Sequence, residues 1–227
     1  MSALFDEYRD SYGAVVQSSI DFSGLPHDFF LAAKADLLRE LVAAHFGMDR
    51  PSLLDVGCGV GALHPFLRGI FSRIGGADVS SESIAEARKN NPGVAYETYA
   101  DERLPYDACA FDVATAICVM HHVPPKGWAD FVVEMRRVVR PGGLVCVIEH
   151  NPFNPLTRLA VSRCEFDRDA VLLGARRTRR MLQDAGFHNV ESRHFLLFPS
   201  TRPLLRRLER TFRGWPFGAQ YAAWGIA

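Results

Sequence analysis

One segment of the chain constrains its fold more than any other. Residues 53–62 read Leu-Leu-Asp-Val-Gly-Cys-Gly-Val-Gly-Ala, so a short apolar run leads into three alternating glycines. An apolar run of this length that ends in glycines is typical of a buried parallel strand. Alternating glycines allow a tight turn and let a ligand lie against bare backbone. The segment therefore predicts a strand, a ligand-binding loop and the start of a helix.

The remaining pattern predicts an α/β sheet. Apolar runs indicate further strands at 74–79, 94–99, 111–118 and 144–148, and helical spacing indicates helices at 28–46, 62–71, 81–90, 128–139 and 176–186. Two last strands, at 190–198 and 217–226, have no convincing crossover helix between them, which favours an antiparallel hairpin at one edge. We expect a Rossmann-like, doubly wound α/β sheet, mostly parallel, with this C-terminal antiparallel hairpin strand and an N-terminal helical lid.

A chain of 227 residues fits one domain, within which we expect three parts. Residues 1–45 form the helical lid, 46–150 the ligand-binding core, and 151–227 an acceptor-side insert that also completes the sheet. The 26 basic and 26 acidic side chains balance, so net charge does not favour nucleic acid as a partner. The balance is uneven, because residues 1–150 hold 13 basic and 20 acidic side chains and residues 151–227 hold 13 and 6. The basic C-terminal part favours an anionic partner.

The same composition predicts a cytoplasmic protein. The five cysteines are scattered and form no Cys-x-x-Cys pair, which is typical of reduced thiols. The first residues lack the basic and apolar regions of a signal peptide. No apolar run reaches the ~20 residues that a membrane-spanning helix needs.

The glycines alone leave two ligand classes open. Gly57-x-Gly59-x-x-Ala62 fits the dinucleotide fingerprint, which places a pyrophosphate at a helix N-terminus. Asp55, two residues before the first glycine, would repel a pyrophosphate and attract an ammonium group. Asp78 and Asp101 follow the next two strands, where they could accept ribose hydroxyls and an adenine amine. A ligand with an ammonium group, a ribose and an adenine but no phosphate is S-adenosylmethionine.

Five motifs together make the chain resemble the class I S-adenosylmethionine-dependent methyltransferases, in their small-molecule and quinone-type branch. They stand in that family's order across residues 50–150. They are Asp55-Val-Gly-Cys-Gly-Val-Gly61, Gly76-Ala-Asp78, Ala100-Asp101 with Leu104-Pro105, Phe111-Asp112-Val with Met120-His121-His122, and Arg140-Pro-Gly-Gly143.

The resemblance implies a methyltransferase that uses S-adenosylmethionine and releases S-adenosylhomocysteine. In the family the glycine loop passes the methionine moiety, the acid after the second strand holds the ribose, and the acid after the third lies at the adenine. The implied cofactor contacts are Asp55, Gly57, Cys58, Gly59, Gly61, Asp78, Val79, Asp101, Glu102 and Cys118.

Acceptor binding is predicted around the fourth and fifth strands, whose carboxyl ends face the same crevice. His121, His122 and His150 are candidate bases or acceptor contacts, since imidazole titrates near neutral pH. An already ionised acceptor would need no base. Further predicted acceptor contacts are Tyr8, Tyr12, Glu149 and Asn151, and Phe22 and Phe29 could join the two tyrosines in a lid. Cys118-x-x-His121 has no partner pair at ligand spacing, so we predict no metal.

Two other functions stay open at this point. A protein of this fold could bind an adenosyl ligand without catalysis. A nicotinamide-dependent oxidoreductase is disfavoured by Asp55 and by the lack of a lysine after Lys126 for a catalytic Tyr-x3-Lys pair. Nucleic acid is disfavoured as a substrate, because no Asn/Asp-Pro-Pro-Tyr/Phe motif follows the fourth strand. We expect a small organic acceptor, anionic or lipid-linked, with weak association of the basic stretch 203–213 with membrane surfaces.

Overall fold

A computed structural model describes residues 12–100, 103–212 and 215–227. Within them the chain forms one seven-stranded sheet in the order β3-β2-β1-β4-β5-β7-β6. Strands β1 to β5 are parallel, and β7 is antiparallel to both of its neighbours. The strands are β1 (Ser52–Val56), β2 (Arg73–Asp78), β3 (Ala95–Thr98), β4 (Phe111–Ile117), β5 (Val139–His150), β6 (His188–Phe195) and β7 (Gln220–Ile226).

The helices alternate with the parallel strands and flank the sheet. They are α1 (Tyr12–Ile20), α2 (His27–Phe46), α3 (His64–Leu67), α4 (Ser81–Asn90), α5 (Trp128–Val138), α6 (Pro155–Arg163), α7 (Ala175–Asp184) and α8 (Pro203–Thr211). This arrangement confirms the expected doubly wound α/β fold, with helices before the first strand and an antiparallel strand near the C-terminal end of the sequence.

Local sequence explains where the helices begin. Helix α4 starts after Ser80, whose hydroxyl accepts a hydrogen bond from the Ser83 N–H at 3.1 Å. Helix α6 starts after Asn154, whose side chain accepts from the Thr157 N–H at 3.0 Å, and Pro155 fills its first position. These caps fix the ends of the connections that surround the carboxyl edge of the sheet.

Two apolar clusters cover the two faces of the sheet. One packs α5 and α7 against the sheet around Trp128, and the other packs α2 around Leu38 and Leu53. Burying one aliphatic side chain such as that of Leu38 or Leu53 contributes about 1.5–3 kcal/mol to the stability of the folded state. The Trp128 indole N–H also donates to the carbonyls of Met120 and Val123, at 2.7 and 2.8 Å. The core therefore holds the turn that follows β4 in place.

The helix predicted at 62–71 is much shorter than expected. Only His64–Leu67 is α-helical. Pro65 is tolerated only in a first helical turn, and Gly69 has a left-handed φ of +82°, so the chain stops after one turn. A helix this short offers no extended dipole for a pyrophosphate, which removes one support for the dinucleotide alternative.

The antiparallel pairing of the last two strands is confirmed, although helix α8 lies between them in sequence, and β6 rather than β7 forms the edge of the sheet on this side. The two strands begin at His188 and Gln220 and end at Phe195 and Ile226, inside or close to the predicted ranges. Gly218 precedes β7 at a close approach of two segments, because a Cβ there would lie 2.3 Å from the Phe195 carbonyl oxygen. Among the described residues, no helix is both long enough and apolar enough to cross a membrane.

Candidate functional site

A cavity of about 970 Å³ opens at the carboxyl ends of β1, β2, β4 and β5. Its walls include residues of the glycine loop, of α1 and α2, of α6 and of the start of β7. Ligand pockets commonly measure ~300–1,000 Å³. The cavity is therefore large enough for two ligands that must meet.

The glycine loop follows β1 and turns beside β2. The Gly57 N–H donates to the Ala77 carbonyl at 2.7 Å, and Gly57, Gly59 and Gly61 have φ values of +73°, +51° and +68°. A Cβ at Gly57 would lie 2.5 Å from a Val119 methyl group, whereas a Cβ at Gly59 would meet nothing within 4 Å. The loop thus packs closely behind Gly57 and exposes bare backbone to the cavity at Gly59.

Asp78, the last residue of β2, hydrogen-bonds to the backbone of this loop. Its two carboxylate oxygens accept from the N–H groups of Gly59, at 2.8 Å, and of Ser80, at 2.9 Å. Burial raises the pKa of Asp78, the two backbone hydrogen bonds oppose that rise, and the nearby charge of Asp55 adds to it. The next residue, Val79, is also in the cavity wall. A carboxylate fixed in this way suits a ligand that donates hydroxyl hydrogens.

Asp55 lies at the same wall but makes its own hydrogen bonds inside the protein. Its carboxylate accepts from the Thr115 hydroxyl at 2.9 Å and is joined to His64 Nε2 at 3.1 Å, and it is 3% exposed. The other ring nitrogen of His64 bonds to the Tyr96 hydroxyl. Asp55 therefore acts on the cavity mainly through its negative charge.

At the other end of the cavity, three histidines meet two carboxylates. The Glu149 carboxylate is fully buried and accepts from the His121 ring Nδ1 at 2.6 Å, and the His121 ring Nε2 lies 3.2 Å from Asp167 Oδ1. His122 Nε2 is 3.4 Å from the same oxygen. The His150 ring centre lies 5.2 Å from that of His121. We call His121, His122, His150 and Asp167 the histidine cluster.

The charges of the histidine cluster are strongly coupled. Burial lowers the pKa of His121, but the carboxylates of Glu149 and Asp167 more than reverse this and raise it well above its ordinary value. Burial and the neighbouring positive charge of His121 lower the pKa of His122 to about 4. The pKa values of two adjacent imidazoles at the cavity wall are therefore shifted in opposite directions.

Comparison with known proteins identifies the core. A family model described as a methyltransferase domain matches residues 54–147, which hold the glycine loop, Asp78 and the first two residues of the histidine cluster. These residues therefore match the methyltransferase-domain family, in line with the resemblance that the sequence motifs carry. S-adenosylmethionine is the methyl donor in that family, as the resemblance implied.

The relatives of the methyltransferase domain differ in what they do. A ubiquinone biosynthesis O-methyltransferase from Sinorhizobium medicae is 32% identical over 140 residues, which cover 56% of each chain. A solved S-adenosylmethionine-dependent methyltransferase from Thermotoga maritima, described as a possible histamine N-methyltransferase, covers 100% of this chain and 99% of its own, with a TM-score of 0.68 and 19% identity. The [4+2]-cyclase SpnF covers 84% of this chain and 80% of its own, with a TM-score of 0.56 and 22% identity.

These matches set the limits of the comparison. The chain spans about half the length of the curated relatives it matches. These two solved structures are too distant in sequence to show more than the fold. A cyclase with this fold also shows that the fold does not determine the reaction.

Most of the contacts predicted from the sequence come together at this cavity. Its wall includes all three candidate histidines and most of the predicted cofactor contacts, namely Asp55, Gly57, Cys58, Gly59, Asp78, Val79 and Cys118. Gly61 is set back, because a Cβ there would meet the Tyr96 hydroxyl and the Asn91 amide. Asp101, Glu102 and Tyr8 lie outside the described residues, and so does the side chain of Tyr12.

Two predicted acceptor contacts lie behind the cavity wall. Glu149 also accepts from the backbone N–H groups of Val119 and Met120, at 3.0 and 2.7 Å, so its carboxylate faces the turn after β4. Asn151 is 1% exposed and its amide donates to the carbonyls of Pro216 and Gly218. Neither side chain is part of the cavity wall, and both position the residues that are.

The lid prediction is supported for Phe22 and differs for Phe29. Phe22 lies in the cavity wall, and so do His27 and Phe30. The ring of Phe29 instead packs edge-on against Phe30, with 5.4 Å between ring centres. The N-terminal helices therefore contribute side chains to the cavity, with Phe30 in the place expected for Phe29.

Sequence reasoning missed Lys34, which lies in the cavity wall and is 7% exposed. No ion pair joins its ammonium to a carboxylate of the described residues. Burial raises the pKa of the Cys118 thiol, but the charges of Lys34 and His150 bring it down to about 7. A lysine between apolar positions on a helix, here between Phe30 and Leu38, is a signal that could have revealed it.

Gln220 was also missed, because it lies far along the sequence in a strand with no motif. Its amide donates to Cys118 Sγ at 3.5 Å, and its carbonyl oxygen is buried without a partner among the described residues. Cys118 itself has a φ of +57°, which is uncommon for a residue with a side chain. Lys34, Cys118 and Gln220 thus form a polar patch in the wall of the cavity.

Proposed function

We propose that this protein transfers a methyl group from S-adenosylmethionine to an oxygen, nitrogen or carbon atom of a small organic acceptor. The observation that carries the proposal is a single cavity whose wall includes both the glycine loop with Asp78 and the histidine cluster. Methyl transfer needs two ligands held in line within one site that excludes water. The size of the cavity suits that requirement.

The glycine-loop end would hold the cofactor. The ribose hydroxyls would donate to Asp78, and the methionine moiety would lie along Gly57, Cys58 and Gly59. The ammonium group would be attracted by the charge of Asp55 and accepted by the free carbonyl oxygen of Gln220. Asp101 and Glu102 keep their proposed place at the adenine by resemblance alone.

Lys34 would bind a carboxylate, either that of the cofactor or that of an anionic acceptor. Its ammonium is a buried charge in the cavity wall, and a buried charge without a counterion is unfavourable. Ligand binding would supply the missing negative charge. This need favours ligands that carry a carboxylate near the middle of the cavity.

Methyl transfer itself needs few catalytic groups from the protein. An acceptor atom forms a bond to the methyl carbon, the carbon–sulfur bond breaks, and its electron pair stays on sulfur, which leaves S-adenosylhomocysteine. An acceptor hydroxyl or ammonium must also lose a proton. The neutral imidazole of His122 can accept a hydrogen bond from that group, and because its low pKa makes it a weak base, the proton would pass on to solvent. His150, in the same cavity wall, would help to orient the acceptor.

The acceptor would enter over an apolar rim. Phe153, Leu156 and Phe217 are 78%, 57% and 58% exposed, and Leu156 also lies in the cavity wall. The Asn154 amide donates to the Phe217 carbonyl at 2.7 Å, so the two segments are neighbours. We propose that this rim receives an apolar or lipid-linked acceptor and that residues 1–45 close over it as a lid.

The proposal can be tested by calorimetry with S-adenosylmethionine, S-adenosylhomocysteine and NADPH in parallel, followed by an assay of S-adenosylhomocysteine release with phenolic, carboxylic and prenylated acceptors. We expect micromolar binding of the first two ligands and turnover with at least one acceptor. Asp78→Asn should weaken binding by about 10-fold or more, since hydrogen bonds to charged groups contribute about 1.5–3 kcal/mol. Asp184→Asn, at an exposed position of α7, is the matched control.

Each result decides between the candidate functions. Binding of NADPH alone would overturn the proposal. Binding of both adenosyl ligands without turnover of any acceptor in the panel would favour a non-catalytic binding protein. Binding that survives Asp78→Asn unchanged would reject the proposed place of the ribose.

A further inference from the structure

The histidine cluster has the geometry of a metal site. His121, His150 and Asp167 each offer one ligand atom, and these atoms all lie within 4.8 Å of one another. Ligands of a tetrahedral ion at ~2.0–2.2 Å lie about 3.4 Å apart. The separations of Asp167 Oδ1 from His121 Nε2, 3.2 Å, and from His122 Nε2, 3.4 Å, match this value.

The surroundings of His121 favour metal binding over a purely structural hydrogen bond. Its Nδ1 bonds to Glu149 Oε2 at 2.6 Å, and the other oxygen of Glu149 is held by the N–H groups of Val119 and Met120. A histidine that binds a metal almost always donates its second ring N–H to a carboxylate or carbonyl in this way. The bond leaves Nε2 as the nitrogen that faces Asp167 and the cavity.

The position of the cluster gives an ion access to ligands. All four residues of the histidine cluster lie in the cavity wall, and they come from the turn after β4, from the end of β5 and from the short turn at Glu165–Asp167. An ion held there would have protein ligands on one side and the cavity on the other. Sites that bind a metal for catalysis keep such an open position, whereas structural zinc sites are closed.

We propose that His121, His150 and Asp167, with His122 beside them, bind a divalent first-row transition metal ion such as Zn²⁺. Imidazole nitrogen with one carboxylate oxygen suits Zn²⁺, Fe²⁺ or Co²⁺. Mg²⁺ and Ca²⁺ prefer sets of oxygen ligands. This proposal departs from the expectation of no metal, which rested on spacing along the sequence and which the metal-binding experiment below tests.

An ion at this position would bind the hydroxyl or carboxylate oxygen of an acceptor. It would favour loss of the hydroxyl proton to solvent and hold the oxygen in line for attack on the methyl group. This role rests on the proposed methyl transfer, whereas the metal site does not. The alternative is a His121 imidazolium held between Glu149 and Asp167, with a proton where the ion would be.

The experiment uses the full chain, freed of any histidine tag and stripped with a chelator. After dialysis against micromolar ZnCl₂, we expect about one zinc ion per chain by elemental analysis. The Co²⁺ form should show the visible absorption of a four- or five-coordinate site. Asp167→Asn and His150→Ala should each weaken Zn²⁺ binding at least tenfold, while His188→Ala, at an exposed position of β6, should leave it unchanged.

Failure to bind Zn²⁺ in stoichiometric amount would overturn the proposal, as would binding that both cluster variants leave unchanged. If a variant does not fold, as judged by far-ultraviolet circular dichroism, the Co²⁺ spectrum of the unmodified chain decides. Calorimetry with S-adenosylhomocysteine on the same stripped sample separates the two proposals. Cofactor binding without metal binding rejects the metal site alone, and metal binding without cofactor binding rejects the methyltransferase proposal alone.

Discussion

The two ends of the cavity are built in different ways. The glycine-loop end uses residues that follow β1 and β2 within a short stretch of sequence, and it presents mostly backbone. The histidine-cluster end joins side chains from residues 121 to 167, and it holds them through buried charge. Backbone geometry can be recognised as a local sequence motif, whereas a charged cluster depends on which distant segments the fold brings together. The first end is therefore shared with a broad family, and the second is where this chain can differ.

The largest expected effect tests the charged end. His121→Ala leaves the fully buried carboxylate of Glu149 without its counterion, and removing one partner of a buried pair costs about 3–5 kcal/mol. We expect the free energy of unfolding in urea to fall by that amount. His188→Ala, at an exposed position, should change it by less than about 0.5 kcal/mol. A loss below about 1 kcal/mol for His121→Ala would mean that buried charge does not hold this end together.

A smaller effect tests the backbone end with two neighbouring glycines. Gly57→Ala places a Cβ 2.5 Å from a Val119 methyl group and, at a φ of +73°, also carries the left-handed backbone cost, so we expect a loss of at least about 2 kcal/mol in the free energy of unfolding. Gly59→Ala meets no protein atom, so its stability cost should be limited to the left-handed conformation, about 1–2 kcal/mol.

The same pair should separate folding from binding. Gly59 lies in the cavity wall, so its added methyl group should weaken S-adenosylhomocysteine binding in calorimetry. A different result would contradict this assignment. If Gly57→Ala mainly weakened S-adenosylhomocysteine binding and Gly59→Ala changed neither binding nor stability, Gly57 rather than Gly59 would face the ligand.

The smallest expected effect tests whether the negative charge of Asp55 contributes to the affinity for S-adenosylmethionine beside the glycine loop. Asp55→Ala removes a carboxylate that is already bonded to Thr115 and His64. We expect affinity for S-adenosylmethionine to fall about tenfold, or about 1.4 kcal/mol. Asp55→Asn should keep the Thr115 hydrogen bond and still lose the attraction to the ammonium group. Equal affinity in all three proteins would restrict Asp55 to bracing the glycine loop.

Much of the fold could be predicted from the sequence, because parallel strands that are buried on both faces leave short apolar runs. The five core strands and the C-terminal hairpin were found in this way. The helix at 62–71 was overestimated, since its apolar residues pack in a turn that Pro65 and Gly69 cut short. Local propensity was outweighed there by the tight geometry of the loop.

The site was predictable in part, for the same reason. Residues at strand ends, such as Asp78 and His121, could be placed because all parallel strands end at one edge. Asp167 and Gln220 could not, because their places depend on how the segment after β5 folds back over that edge. Lys34 could have been recognised, because it is a charged residue between apolar positions of α2 and is buried. The regular apolar spacing predicted only a packed helix, so the lysine was not singled out.

The place of β7 between β5 and β6 bears on how the protein is made. The strand is later in sequence than both of its neighbours, and its first residue, Gln220, is part of the cavity wall. While a ribosome is still adding residues after 195, β5 presents an unpaired, apolar edge to the cell. Neither the sheet nor the cavity can be completed before residues 220–226 have emerged. A growing chain of this kind is exposed to aggregation until these residues have been made, and its ligands cannot assist folding before then.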